Sequence, residues 1–233
     1  MNNNRLLPSP VGFLRSRFSF LLISLLSLFL LQTFLVGHPL SRYFLPGFLL
    51  VIVFASLSAF SDNRKISLMT GVFGFVILAL RYGTYVSESS FLLLMSDSSG
   101  ALFFAFIAVL ILAAVLRAQT VTGDTISGAL CVYLLLGIVW AFLFMLVESV
   151  HPGSFQIAEA ERTAVDPKHG PSASLSLFMY FSLVTLSTVG YGDVIPLTGP
   201  ARGLAAFEGV MGQFYLAVLV ARLVGLYASR SQR

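Results

Sequence analysis

Long apolar blocks dominate the chain, divided by short polar breaks, and they follow neither a two-residue alternation nor a one-sided helical stripe. A helix needs about 20 apolar residues to cross a bilayer's hydrocarbon, with a range of about 17–25. On that measure the pattern predicts six spans: Phe18–Val36, Tyr43–Phe60, Ile66–Tyr82, Gly100–Leu116, Ile126–Val147 and Ala201–Tyr227. A further apolar stretch, Ala173–Thr185, is too short to cross. Phe91–Met95 is shorter still and reads either as a piece lying at the outer interface or as an extension of the third helix.

Arg5, Arg15 and Arg17 precede the first block, as they would in a secretory signal. Its apolar run exceeds the usual range of about 7–15 residues and no convincing small-x-small cleavage site follows, so an uncleaved helix is predicted. Six spans put both termini on one side. One set of loops holds Arg5, Arg15, Arg17, Arg64, Lys65, Arg117, Arg230 and Arg233; the other holds Arg42, Arg162 and Lys168, with Arg81 and Arg202 near it. The richer set is predicted to be cytoplasmic. Glu88, Asp97, Glu148, Glu159, Glu161, Asp166 and Asp193 then fall outside, where acids would concentrate cations.

Composition agrees with a membrane protein: 57% of residues are hydrophobic and 10% charged, too little charge to cover a soluble domain of 233 residues. The net charge is +4 with scattered basic residues, which argues against nucleic acid. The single cysteine, Cys131, lies in an apolar block and permits no intrachain disulfide and no cysteine-based metal site; it reads as a packing residue. His38, His151 and His169 are far apart and read as surface residues. No Ser-His-Asp, Walker or Rossmann pattern is present, so neither an enzyme nor a cofactor is predicted.

The informative stretch runs from Ser174 to Pro196, SLSLFMYFSLVTLSTVGYGDVIP. Gly190 and Gly192 stand at alternate positions, permitting backbone that other residues resist. Non-helical backbone at membrane depth is tolerated only where it lines a cavity or is buried in protein, a condition that a re-entrant loop meets. Ala173–Thr185 fits a half-crossing helix whose C-terminal partial negative charge would face a cation.

This stretch resembles the potassium channel pore domain: outer helix, turret loop, pore helix, TVGYG filter and inner helix. The likeness covers about Ile126 to Tyr227, and the six-residue motif Thr188–Asp193 inside a hydrophobic hairpin is specific. The resemblance implies an all-α membrane protein of six transmembrane helices, with a re-entrant pore helix and filter between the fifth and sixth. It implies passive, potassium-selective conduction through a homotetramer, because one loop cannot enclose an ion. Thr188, Val189, Gly190 and Tyr191 would donate ion-coordinating carbonyls, the Thr188 hydroxyl would close the inner potassium site, Gly192 would turn the chain outward, and Asp193 would brace the mouth. Thr185 and Ser187 would stand at the pore-helix end, Ser187 replacing the more frequent threonine.

Two positions depart from the family pattern. Where many members carry a tryptophan pair that braces the filter, this chain has Tyr180 and Phe181; Tyr180 keeps a hydroxyl that could reach Asp193, and Phe181 has no donor. Where some members place a carboxylate beside the filter aspartate, this chain has Val184. Thinner bracing and ready inactivation are the expectation, with plain aromatic packing as the other reading.

Gly212 lies twenty residues after Gly192, at the family's inner-helix hinge, and could serve bending or close packing. Glu208, one turn earlier, could face the pore-helix base or the cavity. Arg222 reads as snorkelling to the interface, and Arg202 as a partner for turret carboxylates or an interfacial anchor. The fourth span has one arginine, Arg117, at its edge, so arginine-driven voltage sensing is not expected. The resulting division is a cytoplasmic N-terminal segment (1–17), a four-helix membrane domain (18–117), a pore domain (118–228) and a short cytoplasmic tail (229–233), in the cell membrane, with no room in the tail for a ligand-binding domain. A weakly selective cation channel, a potassium transporter subunit and a non-conducting membrane scaffold are the alternatives.

Overall fold

A computed structural model describes residues 17–35, 41–60, 63–86, 89–157 and 171–231. His38, Glu88, Glu159, Glu161, Arg162, Asp166, Lys168 and His169 lie outside these residues, as do the N-terminal arginines Arg5 and Arg15.

The apolar blocks form helices: α1 (Arg17–Leu35), α2 (Ser41–Ala59), α3 (Arg64–Val86), α4 (Ser90–Arg117), α5 (Gly123–Val150), the short α6 (Pro171–Leu186) and α7 (Gly199–Ser231). Local chemistry sets their ends. The Asn63 side chain accepts from the Lys65 amide at 3.1 Å and opens α3. Thr122 accepts from the Thr125 amide at 3.2 Å and opens α5. The turn His151–Gly153 closes α5, with Gly153 at φ +82°, and the Gly153 amide donates back to Glu148 Oε1 at 2.8 Å. Among the described residues four helical stretches are long and apolar enough to cross a membrane: Arg64–Thr84, Phe91–Arg117, Gly123–Val150 and Gly199–Ala228. This is an all-α, multi-pass membrane protein.

The fourth span departs from its sequence reading. Phe91–Met95 is not part of the third helix; it forms the first turns of α4, which begins ten residues before Gly100. Asp97 consequently lies within α4 rather than in an outer loop. It is 2% exposed and accepts from Arg81 Nη1 of α3 at 3.1 Å, with Ser96 Oγ at 3.4 Å from the same nitrogen. Both charges are buried between helices, where pairing offsets part of the cost of removing them from water.

The helices pack in chain order, α1 on α2, α2 on α3, α3 on α4, and both α1 and α4 rest against α5 of the same chain. The α1 contact is specific: the Phe18 amide donates to Asp124 Oδ1 at 2.8 Å, the Ser19 and Ser127 hydroxyls meet at 3.2 Å, and buried Cys131 points its thiol at the Phe18 carbonyl. Asp124 thus serves the open N-terminal turn of α1, where a negative charge is favoured. At the same end Arg222 of α7 donates to the Leu116 and Ala118 carbonyls, the latter at 3.0 Å. The start of α1, the end of α4, the start of α5 and the end of α7 therefore lie together. Arg222 fills open C-terminal carbonyls of α4.

At the opposite end two short strands, β1 (Phe155–Ile157) and β2 (Val194–Pro196), pair antiparallel with Gln156 opposite Ile195. They tie the segment after α5 to the segment after the filter. Arg202 donates from Nε to the Pro196 carbonyl at 3.1 Å and so serves the end of β2; the turret carboxylates Glu159, Glu161 and Asp166 lie outside the described residues.

Candidate functional site

Helix α6 stops at Leu186, and the next four amides fold back onto its last turn. Ser187 N–H donates to the Leu183 carbonyl at 3.0 Å, Thr188 to Thr185 at 2.9 Å, Val189 to Val184 at 2.9 Å, and Gly190 to the same Val184 carbonyl at 3.3 Å. Three of the four carbonyls that a helix end normally leaves open, those of Leu183, Val184 and Thr185, are thereby satisfied. Val184 enters the site through its backbone, holding two filter amides, which no side-chain comparison could have disclosed.

Handedness alternates along the same segment. Thr188 (φ +59°), Gly190 (φ +58°) and Gly192 (φ +81°) are left-handed, while Val189 and Tyr191 between them are not. Alternation of this kind gathers successive N–H groups on one side, which leaves the carbonyls for the other. Glycine accepts these angles readily. Thr188 does not, since a β-branched residue at positive φ is strained by about 1–3 kcal/mol. Its amide bond to Thr185 helps hold it there.

Behind the filter, Asp193 accepts from its neighbour's amide, Val194 N, at 3.0 Å through Oδ1 and from the Tyr180 hydroxyl through Oδ2. The Tyr191 ring stacks on the Tyr180 ring, with centroids 6.4 Å apart and planes 7° from parallel. Phe181 turns the other way, into an aromatic cluster: its ring lies 5.0 Å from Phe144 and 5.6 Å from Phe155, which itself touches Phe178 at 5.0 Å. The two adjacent aromatics thus divide: Tyr180 touches the filter, and Phe181 packs the pore helix on α5 and the strand β1.

On the inner side, α7 runs against α6. Gly212 sits where its backbone meets the end of the pore helix; a Cβ there would stand 2.3 Å from the Leu186 carbonyl oxygen. Glu208 is fully buried and reaches Ser182 of α6, whose Oγ also lies 2.8 Å from the Gly137 carbonyl of α5. It faces the pore helix, not the cavity. The Tyr215 hydroxyl donates to the Ala129 carbonyl and ties α7 to α5. Gln213, which sequence reasoning missed, places Nε2 3.4 Å from Thr188 Oγ1, at the filter's inner end. Its signal was faint: a single amide side chain one residue beyond the expected hinge.

A re-entrant helix and loop held between two long membrane helices define a channel pore domain. Comparison with known proteins agrees. The ion channel family matches residues 128–228. Over 82 residues, 35% of its length, the chain is 29% identical to a small conductance calcium-activated potassium channel-like protein of Caenorhabditis elegans. Over 51 residues, 22% of its length, it is 41% identical to a putative potassium channel protein of Rhodopseudomonas palustris. The matched part spans 11% of the length of each of these relatives. No solved structure is significantly similar to the chain. Residues 128–228 are thus similar to the ion channel family.

Proposed function

We propose that the chain conducts potassium passively and selectively across the cell membrane as a homotetramer, with six spans and both termini cytoplasmic. The observation that carries this reading is the left-handed backbone at Thr188, Gly190 and Gly192, together with the amides of Thr188, Val189 and Gly190 drawn toward the pore helix. A backbone so folded leaves the carbonyls of Thr188, Val189, Gly190 and Tyr191 to replace the water of a bare potassium ion. Gly192 then turns the chain outward, and Asp193 and Tyr180 brace it.

Four copies are required because each chain supplies one wall of the conduit. In a single chain Val189 and Tyr191 are exposed, at 53% and 71%, and only 6% of the spanning window of α7 is buried, against 56% for α5. An apolar inner helix left bare in this way fits contact with neighbouring copies and lipid. The bonds from Phe18 to Asp124 and from Arg222 to Ala118, which bring the start of α1 and the later part of α7 toward the α4–α5 connection, support termini on one side, and the positive-inside rule favours that side as cytoplasmic. Residues 18–117 act as a membrane scaffold beside the pore domain (118–228). The single-arginine α4 supports conduction without an arginine-driven voltage sensor.

The test is potassium flux into liposomes holding the full chain, with barium block as control and Gly190→Asp as the comparison. Flux lost in the variant and blocked by barium supports the pore. A reversal potential insensitive to exchange of potassium for sodium would instead indicate a weakly selective cation channel, and a folded tetramer without flux a scaffold.

A further inference from the structure

We propose that Glu208 acts as a neutral acid that donates a hydrogen bond to Ser182, positioning the pore helix and making conduction fall at alkaline pH. The proposal rests on the channel reading above and deepens it.

Ser182 Oγ lies within hydrogen-bond distance of two acceptors, the Gly137 carbonyl of α5 at 2.8 Å and Oε1 of Glu208 on α7. A hydroxyl has one hydrogen. With Glu208 ionised, one of the two contacts would set oxygen against oxygen with no proton between. With Glu208 protonated, the acid donates to Ser182 and Ser182 donates to Gly137, so each contact has its proton. The chain of bonds then joins the inner helix, the pore helix and the outer helix in one line.

The second carboxyl oxygen points to the same state. Oε2 of Glu208 is buried and has no hydrogen-bond partner. An ionised carboxylate with a bare oxygen in apolar surroundings is costly, whereas a carboxylic acid leaves only a weak carbonyl acceptor unpaired. Among the described residues no cation is placed to compensate the charge. Helices α5 and α6 contain no lysine or arginine. On α7, Arg202, less than two turns before Glu208, is engaged with Pro196, and Arg222, far along the helix, with Leu116 and Ala118. The titratable group facing Glu208 from α5 is the Tyr133 phenol, which adds no positive charge. On α6 the one titratable side chain among the described positions, Tyr180, is bonded to Asp193.

Loss of the proton has a definite consequence. The Ser182 hydrogen would turn to the carboxylate, the stronger acceptor, and release the Gly137 carbonyl. Ser182 lies in the last turns of the helix whose Leu183, Val184 and Thr185 carbonyls hold the filter amides. A shift there passes directly to Thr188 and Gly190. Glu208 touches no filter residue, so its action is on position alone.

The test is current through the full chain in planar bilayers, at symmetrical potassium, as pH rises on both sides. The natural chain should lose current by at least about tenfold for each pH unit beyond the midpoint, since each of the four copies carries one such site. Glu208→Gln keeps a donor for Ser182 and cannot ionise; it should retain current and lose the alkaline fall. Glu208→Ala and Ser182→Ala should pass less current at every pH. A flat profile in the natural chain, or the same alkaline fall in Glu208→Gln, overturns the proposal. Infrared difference spectra give a reading independent of current: a carboxylic-acid carbonyl stretch at neutral pH should be present in the natural chain and absent in Glu208→Gln, and its absence from the natural chain also overturns the proposal. A natural chain that shows the stretch but carries no current would defeat the channel reading while leaving the neutral acid in place.

Discussion

The backbone of Gly212 meets the carbonyl of Leu186 so closely that a Cβ on the glycine would stand 2.3 Å from the oxygen. The inner helix therefore bears on the last residue of the pore helix. This contact gives the glycine a packing role whether or not the helix also bends there.

Gly212→Ala should accordingly displace one helix or the other. Overpacking of this kind costs about 1–3 kcal/mol, and here the obstacle is backbone, which cannot rotate aside. The expected outcome is a lower yield of assembled protein and reduced potassium flux from what remains, measured by thermal stability in detergent and by liposome flux. Full stability and flux would mean that the two helices separate freely.

Tyr180→Phe removes the hydroxyl that holds Asp193 and keeps the ring that stacks on Tyr191. A hydrogen bond to a charged group contributes about 1.5–3 kcal/mol, which corresponds to about tenfold or more in an equilibrium. Inactivation should become faster by about that factor in current recordings. Phe181→Leu, altering only the aromatic cluster, should affect stability more than inactivation. Unchanged inactivation in Tyr180→Phe would remove Tyr180 from filter bracing.

Arg81 and Asp97 form a buried pair in which each charge depends on the other. Arg81→Met or Asp97→Leu alone should destabilise the protein by about 3–5 kcal/mol, because an unpaired charge stays buried. The double replacement should recover most of the loss. Thermal unfolding of the four proteins gives the coupling, and additive effects would argue against the pair.

Arg222 joins the end of the inner helix to the end of α4. Its removal in Arg222→Ala leaves the Leu116 and Ala118 carbonyls without that donor, at a cost of about 0.3–1 kcal/mol for a cation at a helix C-terminus and up to about 2 kcal/mol where partly buried. Amide exchange should rise in the linker 118–122 and at the end of α7, with little change at the filter. Arg222→Lys should restore the charge but only part of the bonding, since it lacks the planar fork.

Much of this was legible along the chain. Apolar run length located the long helices to within a few residues except at α4, where Ser96, Asp97 and the serines that follow broke the run and hid the first two turns. Ser96 and Asp97 are accommodated because Arg81 reaches them from α3, a pairing between spans that hydropathy cannot see. The strands β1 and β2 were also hidden, since three-residue segments carry almost no periodic signal.

By itself the sequence determined that the chain is a membrane protein and that a TVGYGD loop stands between its last two long helices. Run length and left-handed glycine positions are local properties, readable one residue after another. Only the tertiary structure decided which way each polar side chain faces: Glu208 toward Ser182, Gln213 toward Thr188, Tyr180 toward Asp193, Phe181 toward Phe144, Arg222 toward Ala118. Those directions depend on the rotation of each helix about its axis and on how closely neighbours approach, quantities fixed by packing between residues distant in the chain.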